Sequence, residues 1–150
     1  MYKKLKPFET EIKTLGFYIN RLLYTIQKKQ NKMLQDAGLD LQHSEFIVIR
    51  VLGEIKEVSQ SELAVDMVME RSGISRTLSS LEEKGYVKRK NINKKTKVVS
   101  LTEKGEELLP MFKEMSDTLT DQAFRGFSQK SREATLKNLD KIYRNTIVED

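Results

Sequence analysis

The feature that most limits how this 150-residue chain can fold is a pair of short helical signatures set end to end between residues 59 and 85. The first, SQSELAVDM, opens with Ser59 three positions ahead of Glu62. In that S-x-x-E spacing the serine side chain accepts from the third helical amide while the glutamate reaches back, so a helix starts there. Leu63, Ala64 and Met67 give it an apolar side. The second, ERSGISRTLSSLEEKG, spaces Ile74, Leu78 and Leu81 along one face and ends on Gly85, a residue suited to terminating a helix. Its opposite face carries Arg71, Ser72, Ser75, Arg76 and Ser79. Serine is a mediocre helix former and does little for solubility, so this face suits close approach to a surface rich in hydrogen-bond acceptors. Two short helices joined by about four residues, the second with such a face, make the helix-turn-helix pattern.

Directly after this pair the chain concentrates its charge. Residues 88–97 hold six Lys or Arg (Lys88, Arg89, Lys90, Lys94, Lys95, Lys97) and no acid. From Arg71 to Lys104 there are ten basic residues against three acids, a net +7, whereas the rest of the chain has seventeen against nineteen. The overall charge of +5 therefore belongs to one segment, which fits an anionic partner docking on one face. The alternative is a solvated charged loop. YVKRK (86–90) and KVVSL (97–101) are β-prone runs separated by NINKKT, whose asparagines favour turns, so a two-stranded hairpin with a cationic tip is predicted.

Around this centre the pattern is helical. From Phe8 to about Ala37, Ile12, Leu15, Ile19, Leu22 and Ile26 follow a three-four spacing, predicting one long amphipathic helix that stops at Gly38. Such a helix exceeds what a compact domain of this size needs, so part of it is expected to pack on a second chain. FIVIRVL (46–52) reads as a strand or a buried helix, and we assign it to helix. A further helix is expected from Thr102 as N-cap, with Leu108, Leu109, Phe112, Met115 and Leu119 as its stripe and a kink at Pro110. The last is expected to start near Ser128 and to carry Leu136, Leu139, Ile142 and Tyr143.

The composition argues against several functions. No cysteine is present, which removes disulfides, thiol catalysis and cysteine-type zinc sites, and the single His43 makes a His-rich metal site unexpected. His43 is expected to be a surface residue at a helix start. With no carboxylate or Gly-loop constellation, neither catalytic residues, a metal nor a cofactor is assigned, and the chain is not expected to be an enzyme. No run of about eighteen apolar residues exists and the amino terminus lacks the apolar core of a signal peptide, so no membrane association is expected and the cytoplasm is the default location. Met67, Met69, Met111 and Met115 read most simply as core fillers. Arg50, charged within an apolar run, fits either a structural ion pair or an anchor for an acidic effector.

The order of these elements resembles the MarR family of winged helix-turn-helix transcription regulators. The resemblance lies in SQSELA (59–64), ISRTLSSLEEKGYVKR (74–89) and SLTEKGEELL (100–109), in that order and without gaps between residues 59 and 109, and flanking helices extend it to nearly the full chain. It implies a mainly α fold with a small β-hairpin wing: one domain over residues 1–150, with dimerisation helices at about 8–37 and 102–147 and a DNA-binding part at about 41–101. It implies a homodimer whose 70–84 helix enters the major groove of double-stranded DNA while the wing reaches the minor groove. The candidate contacts are then Arg71, Ser72, Ser75, Arg76 and Ser79 on the reading helix, Lys88, Arg89, Lys94, Lys95 and Lys97 on the wing, and Ser59, Gln60 and Ser61 on the first helix of the motif. A small aromatic or anionic effector would sit near Arg21, Phe46 and Arg50. The expected function is a sequence-specific regulator, acting as a repressor at a pseudo-palindromic operator and released by that effector. A winged helix that binds RNA or protein without promoter specificity is the alternative. Two departures stand out. The family's wing carries Asp-Arg-Arg where this chain has Asn93, Lys94 and Lys95, and Glu70 is a poor N-cap for the reading helix.

Overall fold

The computed structural model describes residues 14–147. In chain order these form α1 (Leu15–Asp36), α2 (His43–Ile55), β1 (Glu57–Ser59), α3 (Gln60–Asp66), α4 (Arg71–Glu83), β2 (Val87–Asn91), β3 (Lys97–Leu101), α5 (Glu103–Glu106), α6 (Leu109–Ala123) and α7 (Gln129–Thr146). They group into two compact units that divide between Met115 and Ser116.

The first unit is built around α2, α3, α4 and the sheet. Phe46, Val48, Ile49 and Leu52 of α2 pack with Leu63 of α3, with Ile74, Leu78 and Leu81 of α4, and with Val87, Val99 and Leu101 of the strands. Phe46 stacks on Phe112 with ring centroids 4.4 Å apart. FIVIRVL is thus helical: Glu45, Val48, Ile49 and Leu52 line its buried face at helical spacing. The expected hairpin exists, pairing Val87 with Leu101 and Asn91 with Lys97. It is joined by a third strand not foreseen from sequence, β1, which pairs Val58 with Val99 and makes β3 the central strand. Three residues are too few to show an alternating pattern, so β1 leaves no signal.

The helix ends follow local chemistry. Ser59 and Glu62 form the expected capping box, and the Thr102 and Ser128 side chains cap α5 and α7. Gly38 and Gly85 adopt φ of +73° and +80°, the left-handed turn that closes α1 and α4. The expected start of the first helix at Phe8, and Ile12 on its face, lie outside the described residues; α1 begins at Leu15 with Thr14 as N-cap. Pro110 does not kink a continuous helix. Its ring is incompatible with the carbonyl four residues earlier, so α5 ends at Glu106 and Pro110 sits in the first turn of α6, where no amide hydrogen is required. Met115 is buried and Met67 and Met69 pack against the core, whereas Met111 is exposed, contrary to its expected role.

The second unit, from Ser116 onward, is a turn and two helical arms. Phe124 and Phe127 meet edge-on at 5.4 Å beside Gly126, and Arg132 of α7 donates to Asp121 at 2.7 Å. Leu136, Leu139 and Tyr143 of α7 remain exposed, as do Leu15, Ile19, Leu22 and Ile26 of α1.

Candidate nucleic-acid interface

A short cleft of about 190 Å³ gathers residues from three elements: Gln60 and Ser61 at the start of α3, Arg71 and Ile74 on α4, and Lys94, Lys95 and Lys97 on the hairpin. No acid lines it. None of its four cations has an ion-pair partner among the described residues. Gln60 Oε1 is also the one buried side-chain polar atom without a hydrogen-bond partner among those residues. Cations without a salt bridge, in a cleft that no carboxylate lines, suit an oxyanion, whereas the hidden Gln60 Oε1 is an acceptor and calls for a donor.

The reading-helix candidates divide by exposure. Arg71, Ser72 and Arg76 are exposed, Ser75 is half-buried, and Ser79 is half-buried and occupied. The Arg89 guanidinium donates to Ser79 Oγ at 3.2 Å and, through Nε, to Glu82 Oε2 at 3.0 Å. Arg89, expected as a free wing contact, is therefore a strut between β2 and α4, because alternation along β2 turns it toward α4 while Lys88 and Lys90 are exposed. That strut holds the Glu82 carboxyl below the usual carboxylate range, chiefly through the Arg89 hydrogen bond. Glu70 occupies the N-cap of α4 without capping it, as its side chain suggested. At the hairpin tip, Asn93 Oδ1 accepts from the amides of Lys95 and Thr96, both at 2.9 Å, so the asparagine braces the turn itself rather than a neighbouring arginine.

The three effector candidates differ in their surroundings. Phe46 is 1% exposed and belongs to the core. Arg21 is exposed on α1, its guanidinium 5.4 Å from the centre of the Phe17 ring. Arg50 borders a small depression with Gly53, Leu109 and Pro110. His43 does start a helix, as expected, and is partly rather than fully exposed. It is half-buried, its Nδ1 hydrogen-bonds Gln30 Oε1, and its amide donates to Asn31 Oδ1 at 2.8 Å. Burial lowers its pKa.

Glu45 escaped the sequence reading. It is 3% exposed, yet receives Ser80 Oγ at 2.7 Å and Lys84 Nζ at 2.9 Å, both from α4. The available signal is its spacing: Glu45, Ile49 and Leu52 recur on one helical face, which places an acid at a core position. Among the described residues no group of His, Asp and Glu could hold a metal ion, and no helix is long and apolar enough to cross a membrane.

Two short helices meeting at a tight turn, with a basic antiparallel hairpin beside the second, define a winged helix-turn-helix protein. The model of the MarR family matches residues 38–93. An uncharacterized HTH-type transcriptional regulator of Bacillus anthracis is 36% identical over 98 residues, 64% of this chain and 66% of the relative. The match thus spans just under two thirds of that protein. The HTH-type regulator YybA of Bacillus subtilis (strain 168) is 26% identical over 114 residues, 75% of this chain and 76% of YybA. A MarR family regulator from Listeria monocytogenes, solved with a 26mer DNA, has the same fold at a TM-score of 0.81 and 24% identity, covering 89% of each chain. CouR from Rhodococcus jostii RHA1, solved with p-coumaroyl-CoA, superposes at 0.79 with 25% identity over 95% of this chain and all of CouR. Residues 38–93 thus match the MarR family, and the described fold is the winged helix-turn-helix of its solved members.

Proposed function

We propose that this chain forms a homodimer that reads a pseudo-palindromic DNA operator, represses from it, and is released by a small effector. The observation that carries the reading is the cationic cleft joining α3, α4 and the wing. Phosphate contacts by Lys94, Lys95, Lys97, Gln60 and Ser61 would set the register on the duplex. Arg71, Ser72, Ser75 and Arg76 would then face base edges in the major groove. The exposed apolar faces of α1 and of α7 support dimerisation, since rows of leucine and isoleucine at helical spacing gain by being covered. Two-fold symmetry then places two half-sites about one helical turn apart.

For the effector, the support is Arg21 and Arg50 in this chain and the bound p-coumaroyl-CoA of CouR, an aromatic and anionic molecule. Such a ligand acts by preferring a dimer whose reading helices are wrongly spaced for DNA. Selection from a random duplex library tests the core of the reading. A recovered consensus with two inverted half-sites is the expected outcome; enrichment of no sequence, or preference for single-stranded RNA, would replace the reading with a different one.

A further inference from the structure

The first turn of α2 holds two other helices by two side chains only two residues apart. On one side, His43 bonds Gln30, and its amide bonds Asn31, both on α1. On the other, Glu45 grips α4. Its Oε1 accepts from Ser80 at 2.7 Å and from Lys84 at 2.9 Å, and its Oε2 accepts from Lys84 at 3.1 Å and from the Gln42 amide at 2.8 Å. Both carboxylate oxygens are therefore directed, and the carboxylate is fixed from its own helix as well as from α4.

Resting on the DNA-reading role proposed above, we infer that Glu45 is a positioning residue for that reading: with Ser80 and Lys84 it fixes the rotation and height of α4 on α2, and through the neighbouring His43–Gln30 bond it refers that position to α1. The apolar contacts of α4, through Ile74, Leu78 and Leu81, resist separation but set no sharp angle, because dispersion and burial are not directional. Two polar attachments one turn apart, at Ser80 and Lys84, set one. An arginine tip lies roughly 9 Å from its helix axis, so a rotation of about 20° displaces it by about 3 Å, more than a base contact tolerates. A buried ion pair is also a poor source of stability compared with an apolar pair of similar volume, whereas fixing one arrangement among several is the use best attested for it.

The cysteine-free chain allows a direct test. Spin labels at Glu54→Cys on α2 and Arg76→Cys on α4, with labelled chains diluted in unlabelled ones, report the α2–α4 distance distribution without DNA. Glu45→Leu/Lys84→Met, an apolar replacement, should still melt cooperatively. It should show a broader or shifted distance distribution and, in the unlabelled protein, a tenfold or greater loss of preference for the selected duplex over random DNA. An unchanged distribution together with an unchanged preference would overturn the inference. Should that variant fail to fold, Glu45→Gln, which keeps an acceptor oxygen and loses the charge, is read in the same two ways. If the unmodified protein itself prefers no duplex, the DNA-reading role fails, and the spin-label distances alone decide whether Glu45 positions α4.

Discussion

Arg89 of β2 and Glu82 of α4 hold one another, Nε to Oε2 at 3.0 Å, and the Arg89 amide adds a bond to Oε1 at 3.3 Å. Most of the arginine is covered, its side chain 17% exposed. One of the hairpin's basic residues is therefore committed inside the molecule, and the charge the hairpin offers to a partner rests on its lysines.

That division predicts a difference in salt dependence. Each lysine that neutralises a DNA phosphate contributes about one to the slope of log affinity against log salt. Lys94→Gln and Lys95→Gln, each present twice in the proposed homodimer, should each lower the slope by about two, while Arg89→Gln leaves it nearly unchanged and costs about 0.5–1 kcal/mol of stability as a partly exposed pair. The depressed Glu82 carboxyl means that the strut's contribution is present above the ordinary carboxylate range and is lost as pH falls through the lowered value, so it is intact at neutral pH. A slope change for Arg89→Gln equal to that of a lysine would show that the strut opens onto DNA.

Arg76 provides a second prediction. Exposed on α4 and hydrogen-bonded to no described residue, it is free to reach a base edge. Arg76→Ala should weaken binding to the selected duplex by about 1–3 kcal/mol and random DNA by less. Equal losses on both would make it a phosphate contact.

The turn between α3 and α4 holds a β-branched residue in the left-handed region: Val68 has φ of +50°, with Met69 N bonded to Ala64 O across it at 2.9 Å. An L residue there costs about 1–2 kcal/mol. Val68 is 73% exposed, so its side chain gains little by burial. Glycine relieves the strain and returns up to about 1 kcal/mol through its freer unfolded chain. Val68→Gly should therefore raise stability by up to about 1 kcal/mol, seen as a melting temperature a few degrees higher; a lower one would mean that Val68 makes a contact worth more than the strain.

The parts of this fold legible in the sequence are those encoded locally. The Ser59–Glu62 box, the Thr102 and Ser128 caps, the glycine stops at 38 and 85 and the β2–β3 hairpin all depend on residues close in the chain. The features that escape it depend on distant partners. Glu82 and Arg89 are ordinary surface residues until β2 lies along α4, and Glu45 finds Ser80 and Lys84 across 35 and 39 positions. The same reason misplaces Arg89: composition counts a charge, and only tertiary pairing reveals whether a partner already holds it. The cleft is legible in its residue types and not in its shape, since the meeting of Gln60, Arg71 and the wing lysines is a product of packing.

His43 supplies a pH test in a chain with a single histidine. Burial favours its neutral form, so the folded pKa lies below the ordinary value of 6.5. Its contribution to stability is then complete above that ordinary value and declines as pH falls through the lowered one. Titration of the imidazole by NMR should place its midpoint below that of an unfolded reference peptide, and His43→Gln should flatten the loss of stability as pH falls below about 6.5. A midpoint above the reference would contradict the burial argument.

Sequence-selective DNA binding by the cationic face is best tested by the affinity of the purified chain for its selected duplex and for random duplex across a salt series. Tight, salt-steep binding that favours the selected duplex by about a hundredfold or more is the predicted result. Equal and weak binding to both would contradict it, leaving the wing lysines with nonspecific charge alone.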